Sequence, residues 1–455
     1  MTKTSDIIII GSGPGGYRAA HYAATNGLTV TIFESGEPGG TCLNCGCIPT
    51  KTLCRNAELL DTLTEADTFG LDNMNYTFDF GKVKARKDEV VAQLRGGIET
   101  LMKTPGITFV REKAAFKDNR TIVAGGNEYT ADNIIIATGS VSAMPPIEGI
   151  KLEGVVSSTE MLDTTTRPER LCIIGAGVIG MEFASIYNSF GSEVTVIEFL
   201  KETLPTLDSD IAKRLRQTIA RRGVNFYMQS AVSRISEHVD EESGKRLLKV
   251  TFDKKGKTSE TFADMVLVAT GRRANTAELA LENTDISFDK KGIHTDEHFA
   301  TNVEHVYAIG DVNGKCMLAH AATFQGLHVV NRILGRQDDI RHEIMPSAIF
   351  TNPEAASVGL SEDQCKTLGL EYSCRKGFYR ANGKALAMNE TDGMIKLITD
   401  NENHIIGCHV FGAHASDMVQ EITVLMNSQA TTQQLRDIIH IHPTLAEILH
   451  DMAMS

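Results

Sequence analysis

Three cysteines stand within one short stretch, Gly39-Gly40-Thr41-Cys42-Leu43-Asn44-Cys45-Gly46-Cys47-Ile48-Pro49-Thr50-Lys51, and two histidines stand near the other end of the chain in His440-Ile441-His442-Pro443-Thr444-Leu445-Ala446-Glu447. Thiols this close can cycle between dithiol and disulfide, hold a soft metal, or be inert and buried. Cys42 and Cys45 have C-x-x-C spacing and Cys54 follows, but no second C-x-x-C and no nearby histidine completes a zinc set. A bridge between the outer pair, Cys42 and Cys47, would need a distorted helix start, because Cα atoms five apart in a regular helix lie roughly 8 to 9 Å from each other, too far for a disulfide. Gly46 and Pro49 supply residues that tolerate such a distortion. On spacing alone the redox, inert and metal readings all stay open. At the other end, Pro443 suits the first position of a helix, which would leave His442 at its cap with Glu447 tilted back toward it. An imidazole oriented by a carboxylate is a working general base near neutral pH; a purely structural helix cap is the alternative.

These groups need a scaffold. Strand Ile7–Ile10 runs into Gly11-Ser12-Gly13-Pro14-Gly15-Gly16, then an alanine-rich helix through Ala24, then strand Thr29–Phe33 closed by Glu34. That is a dinucleotide-binding βαβ fingerprint: Gly11 for the turn, Gly13 for approach of a pyrophosphate, Gly16 for helix against strand, Glu34 for ribose hydroxyls. The device recurs as strand Leu171–Ile174, turn Gly175-Ala176-Gly177-Val178-Ile179-Gly180, strand Val194–Ile197 and Glu198, with the same interval from first glycine to acid. Each copy leads to an apolar strand ending in Ala-Thr-Gly, at Ala137-Thr138-Gly139 and Ala269-Thr270-Gly271. A duplicated nucleotide-binding domain and two dinucleotides are implied.

Between the copies, Phe80 to Met102 reads as a helix with Val83, Val90, Val91, Leu94, Ile98, Leu101 and Met102 as core. The basic run Lys82, Lys84, Arg86 and Lys87 reads as its solvated face. Thr301 to Asp311 reads as a strand entering a Gly310-Asp311 turn. From about Arg341 the pattern changes to antiparallel strands around Tyr372 to Arg380, Met394–Thr399 and His404–Phe411, then a helix over Asp417–Asn427, a separate C-terminal domain. The expected fold is α/β, with two Rossmann-like domains and a C-terminal α+β domain, divided as 1–145, 146–272, 273–340 and 341–455.

Composition narrows the classes. The 455 residues are 42% apolar, carry a net charge of −13 and contain no apolar run of membrane-spanning length, so nucleic acid and membrane are not expected partners. Nine scattered cysteines fit a reducing compartment, the cytoplasm.

Together with Met317-Leu318-Ala319-His320, Pro346-Ser347-Ala348-Ile349-Phe350-Thr351-Asn352-Pro353-Glu354 and Gly359-Leu360-Ser361, these motifs resemble the flavin-dependent pyridine nucleotide-disulfide oxidoreductases over essentially the whole chain, and within them the dihydrolipoamide dehydrogenases. The resemblance implies a Cys42–Cys47 redox disulfide, with Lys51 beside the flavin and Glu182 as its ion-pair partner. It implies FAD on the first copy, near Thr41, Glu34, Gly139, Gly310, Asp311, Leu318, Ala319 and His320, and NAD on the second copy near Glu198 and Gly271. It further implies a homodimer in which His442 and Glu447 serve the partner's disulfide, and a lipoyl-bearing substrate protein, either a 2-oxoacid dehydrogenase core or the glycine cleavage carrier. Glutathione-type and mercuric reductases are rivals within the family, and a redox-sensing or scaffold flavoprotein that keeps the fold without turnover is a rival from a different class of function. Against the first, Phe199 and Leu200 after Glu198 offer no arginine for a 2′-phosphate. Cys45 departs from the family, which usually carries an apolar residue there, so pairings with Cys42 or Cys47 compete on sequence alone. After His320, Ala321-Ala322-Thr323-Phe324-Gln325-Gly326 lacks the acidic run usual in the dihydrolipoamide enzymes.

Overall fold

Four consecutive isoleucines, Ile7 to Ile10, are all buried, and the strand that carries them, Lys3–Ile10, is the middle of a seven-stranded sheet. A strand apolar on both faces has to lie between layers, here a helix layer and a layer of further strands and loops. In this computed structural model, which describes residues 3–72 and 75–454, the chain forms two compact units. The first contains the chain up to Thr52, Gly81–Ala143 and Gly271–His342; the second contains Leu53–Phe80, Met144–Thr270 and the chain from Glu343 on.

In the first unit the strands Ile107–Val110, Val30–Phe33, Lys3–Ile10 and Asn127–Ile136 lie side by side in parallel, with Val306–Ala308 also parallel to Asn127–Ile136. The register Ile8 to Thr31 and Ile8 to Ile134 brings the strand ends, and so the loops after them, to one edge. Helix Pro14–Thr25 begins at that edge with proline in its first turn and packs its small residues against helix Ala319–Ile333. Gly15 and Gly326 let the two backbones approach, since a Cβ on Gly326 would lie 3.0 Å from the Gly15 carbonyl oxygen.

The second unit repeats the plan. Asn225–Tyr227, Glu193–Ile197, Arg170–Ile174, Met265–Val268 and Val155–Val156 form a parallel sheet, with helix Val178–Ser189 following the glycine turn. A further antiparallel sheet, in the order Ser347–Ile349, Ala355–Gly359, Ile405–Phe411, Met394–Thr399, Ser373–Phe378, carries helices Ala415–Asn427 and Glu447–Met454. A buried lysine in this sheet, Lys396, donates to both carboxylate oxygens of Asp208 at 2.7 Å, and Asp208 caps helix Ser209–Arg221. Paired burial of this kind is tolerated because each charge meets its counterion. The architecture is the expected α/β fold with two Rossmann-like halves and a C-terminal α+β part.

Several local expectations need correction. Helix Phe80–Leu101 forms, but Leu94 is exposed rather than core. Lys87 is not on a solvated face: it is buried, and its ammonium meets the Asp88 carboxylate at 2.6 Å, which neutralises it. The stretch from Thr301 is a strand only over Val306–Ala308, after which Gly310–Asn313 is a short 3-10 turn.

Candidate active site

The cysteine stretch folds as two helices broken at one residue. Helix Gly40–Cys45 stops, Gly46 intervenes, and helix Cys47–Thr64 begins. A Cβ on Gly46 would sit 2.9 Å from the Thr41 carbonyl oxygen, so a side chain there would collide with the preceding helix. The Gly46 carbonyl instead accepts from Thr50 twice, from its N at 3.1 Å and its Oγ1 at 2.6 Å, which starts the second helix. The break replaces the regular five-residue separation and brings the Cys42 and Cys47 thiols into hydrogen-bond contact. The shared hydrogen bond with Cys47, then burial, pushes the Cys42 thiol far above its ordinary range, while the positive charge of Lys51 acts the other way. Asn44 clamps the turn, its Nδ2 donating to the carbonyls of Pro38 at 3.1 Å and Gly40 at 3.0 Å and its Oδ1 accepting from Arg95 at 2.9 Å. Sequence reading passed over Asn44 because an asparagine inside a cysteine motif carries no signal of its own. Among the described residues no group of three or more His, Cys, Asp or Glu is arranged to hold a metal ion.

The two glycine turns are built alike. Gly11 and Gly175 would each collide with the carbonyl of the alanine in the following Ala-Thr-Gly, at 2.4 Å from Ala137 and 2.5 Å from Ala269. Gly16 and Gly180 would collide with the carbonyl of the first glycine of their own turn. By contrast Gly13 and Gly177 have ordinary negative φ, and a Cβ would meet nothing at Gly177 and only the Gly40 Cα, at 4.0 Å, at Gly13. Nothing in the protein forbids a side chain at these two positions, so the open space over them is a cradle that a Cβ would fill and a pyrophosphate fits. The acids match as well. Ser12 N donates to Glu34 Oε2 at 2.9 Å and Gly36 N to Glu34 Oε1 at 2.9 Å; Ala176 N donates to Glu198 Oε2 at 2.5 Å and Leu200 N to Glu198 Oε1 at 2.7 Å. Each carboxylate is thus fixed beside its cradle before any ligand arrives.

Around the first cradle, Asp311 accepts from Ser140 Oγ at 2.5 Å, and Arg272 Nε donates to the same Ser140 Oγ at 2.7 Å. Ser140 and Arg272 each follow one of the repeated Ala-Thr-Gly turns and pair across antiparallel strands Ser140–Ser142 and Arg272–Ala274. That repeat was visible in the sequence and could have singled both out. Thr138 Oγ1 donates to Asn275 O at 2.7 Å, and Gly139, Gly271 and Gly310 all have left-handed φ. Thr41 lies in the first turn of the cysteine helix, and Leu318, Ala319 and His320 open helix Ala319–Ile333, with His320 exposed.

His442 is not a helix cap. The His442–Pro443 peptide is cis and the helix starts only at Glu447, because Thr444 folds a turn first, its Oγ1 donating to Ile441 O at 2.7 Å and its N to Glu447 Oε2 at 2.8 Å. The contact expected between the two residues nevertheless exists: His442 Nδ1 lies 2.9 Å from Glu447 Oε1. The Thr444 N–H, then His442, hold the Glu447 carboxyl below its ordinary range. The His442 side chain is 82% exposed. His440 is tied down, with Nε2 2.8 Å from Glu421 Oε1 and a side chain 6% exposed. Glu182 is buried on helix Val178–Ser189 and accepts from Phe350 N at 2.9 Å.

Comparison with known proteins decides the family. Residues 5–326 match the pyridine nucleotide-disulphide oxidoreductase family, and residues 345–453 match the dimerisation domain of the same family. The chain belongs to this family. FAD and NAD are therefore its cofactors. Its dimerisation domain supports a homodimer. The chain is 38% identical over 461 residues to the dihydrolipoyl dehydrogenase of Chlamydia muridarum, covering 100% of this chain and 97% of that one. It is also 38% identical to a dihydrolipoyl dehydrogenase of Bacillus subtilis, covering 99% and 96%. Among solved structures it is similar to the HOCl-induced flavoprotein disulfide reductase RclA from Escherichia coli, with a TM-score of 0.87 at 30% identity, covering 98% of this chain and 99% of that one. No helix among the described residues is long and apolar enough to cross a membrane.

Proposed function

We propose that the chain oxidises the dihydrolipoyl group of a lipoyl-bearing protein, using Cys42 and Cys47 as its redox pair and NAD⁺ as final acceptor. The observation that carries the reading is the helix break at Gly46, which puts two thiols in contact beside a lysine. The named relatives support the choice of substrate. His442 is the base: Glu447 accepts from Nδ1–H, which leaves the Nε2 lone pair to take a proton from a substrate thiol. The substrate thiolate attacks Cys42 Sγ of the disulfide, an S–S bond to Cys42 forms, and Cys47 leaves as a thiolate favoured by Lys51. The second substrate thiol then displaces Cys42, which departs with a proton, and the substrate leaves as its cyclic disulfide. FAD, when bound, supplies the two-electron acceptor and the onward hydride transfer that no side chain can perform. Glu34, Asp311, Thr41, Gly139, Gly310, Leu318, Ala319 and His320 are proposed to hold it, Glu198 to hold the adenosine ribose of NAD, and Glu182 to support the flavin side of the pair.

The functional borders proposed are 1–145 and 273–340 for FAD, 146–272 for NAD and 341–455 for dimerisation. The partner is a lipoyl domain of a 2-oxoacid dehydrogenase core or the glycine cleavage carrier, and the compartment is the cytoplasm. A steady-state comparison of lipoamide, glutathione disulfide and Hg²⁺, each with NADH and NADPH, tests the reading. Lipoamide with NADH should be the preferred pair, since Glu198 repels a 2′-phosphate. Preference for glutathione disulfide or Hg²⁺, or equal use of NADPH, would refute it.

A further inference from the structure

Cys45 has no part in that reaction, yet it is the residue best placed to interrupt it. Both Cys42 and Cys45 belong to helix Gly40–Cys45, three residues apart. In helical geometry their Cα atoms are separated by about 5 Å, inside the range of about 4.4–6.8 Å that a disulfide accepts. The Cys42–Cys47 contact depends on the break at Gly46; a Cys42–Cys45 bond needs no break. Cys42 therefore has two possible partners, one across the break and one on its own helix, and Cys45 is only partly buried.

We propose that Cys45 is a third redox thiol that takes Cys42 out of the working pair, so that the oxidised protein exists as two disulfide isomers. The proposal rests on the reading of Cys42–Cys47 as that pair. The step is redox-neutral. The Cys45 thiolate attacks Cys42 Sγ, a Cys42–Cys45 bond forms as the Cys42–Cys47 bond breaks, and Cys47 leaves as a thiolate that takes up the proton Cys45 gave up. No outside oxidant or reductant is consumed. In the second isomer Cys42 is bonded to a cysteine of its own helix, so attack on Cys42 expels Cys45 in place of the Cys47 thiolate. A dithiol, the substrate's own class, reopens that bond and is itself oxidised to its disulfide, leaving all three cysteines reduced and Cys42 and Cys47 again available as the pair, so the second isomer is a slower entry into the cycle.

The test maps the single remaining thiol of the trio. Oxidised, FAD-loaded protein is held at a series of pH values from neutral to mildly alkaline, quenched in acid, alkylated while denatured and read by tandem mass spectrometry. A label on Cys45 reports Cys42–Cys47, and a label on Cys47 reports Cys42–Cys45. The expected result is Cys45 labelling near neutrality with a share moving to Cys47 as pH rises, because the exchange goes through a thiolate. Labelling of Cys45 alone at every pH, or of Cys42, overturns the proposal. In a second arm, Cys47→Ser protein is treated with a diazenedicarboxamide thiol oxidant. Loss of both Cys42 and Cys45 thiols in one chain is expected, and their persistence overturns the proposal. Neither arm requires turnover; if the underlying reading were wrong, Cys47→Ser protein would still oxidise dihydrolipoamide.

Discussion

His442 faces Glu447 through Nδ1, and the side chain beyond that contact is solvent-exposed. Because Glu447 is held below the ordinary carboxylate range, it stays charged throughout the neutral region and keeps the imidazole in the tautomer that leaves Nε2 basic. The contact is lost only when acid protonates the carboxylate. Replacing a positioned general base typically costs about 10²–10⁴-fold, so His442→Gln should lower dihydrolipoamide oxidation by that much while NADH-driven reduction of small dyes persists. His440→Gln, which removes a side chain already tied to Glu421, should lose far less; equal losses in the two variants would count against His442 as the base. The sequence made this pair legible through residue types and spacing, but not the manner of its support. A proline after histidine reads as a helix start, and only the turn made by Thr444 shows that the helix waits until Glu447. Lys396 was hidden for a different reason. A lysine inside Met394–Thr399 gives no warning that Asp208, far away in sequence, will neutralise it.

At the scale of elements, the two glycine turns separate packing from binding. A Cβ on Gly180 would lie 2.0 Å from the Gly175 carbonyl oxygen, whereas one on Gly177 meets nothing. Gly180→Ala is expected to destabilise the protein by about 1–3 kcal/mol through overpacking. Gly177→Val should leave the thermal midpoint unchanged and raise KM for NADH by about 10-fold or more, roughly 1.4 kcal/mol. A large fall in midpoint for Gly177→Val would show that the open space is not a ligand cradle. The sheet that carries the C-terminal helices has its own pH dependence. Burial pushes the His409 imidazole down to about 4, although Asp208 favours its charged form and Lys396 opposes it. Asp363 also favours protonation, and Asp208 N donates to the ring Nδ1 at 3.3 Å. Folded His409 is neutral where the unfolded residue, near 6.5, binds a proton. Stability from this group is therefore present above the unfolded value and falls as pH drops from about 6.5 to about 4, by an amount of the order of 3 kcal/mol. His409→Gln should flatten that part of the urea-midpoint profile; parallel profiles for the two proteins would contradict this. The repeat of strand, turn and acid was readable because local chemistry dictates it. The exposure of Leu94 and burial of Lys87 were not, because both depend on what the helix packs against.

For the whole molecule, the family's dimerisation domain supports a homodimer, and the exposure of His442 suits a base that serves another chain. Mixing His442→Gln protein with Cys42→Ser protein, under conditions where subunits exchange, should restore part of the activity, since each mixed dimer would contain one site with intact cysteines and an intact base. No recovery despite demonstrated exchange would place base and disulfide on the same chain. Two-chain geometry of this kind was never open to sequence spacing and entered only through resemblance, whereas the duplicated nucleotide-binding plan was legible throughout.

The most direct measurement is NADH formation when FAD-loaded protein meets a reduced lipoyl domain and NAD⁺, compared between the unaltered protein and its Cys42→Ser, Cys45→Ser and Cys47→Ser variants. The expected result is steady NADH production by the unaltered protein and by Cys45→Ser, none by Cys42→Ser or Cys47→Ser, and FAD retained by all. Turnover surviving in Cys42→Ser or Cys47→Ser, or lost in Cys45→Ser as completely as in the other two, would contradict a reaction carried by the pair that Gly46 brings together.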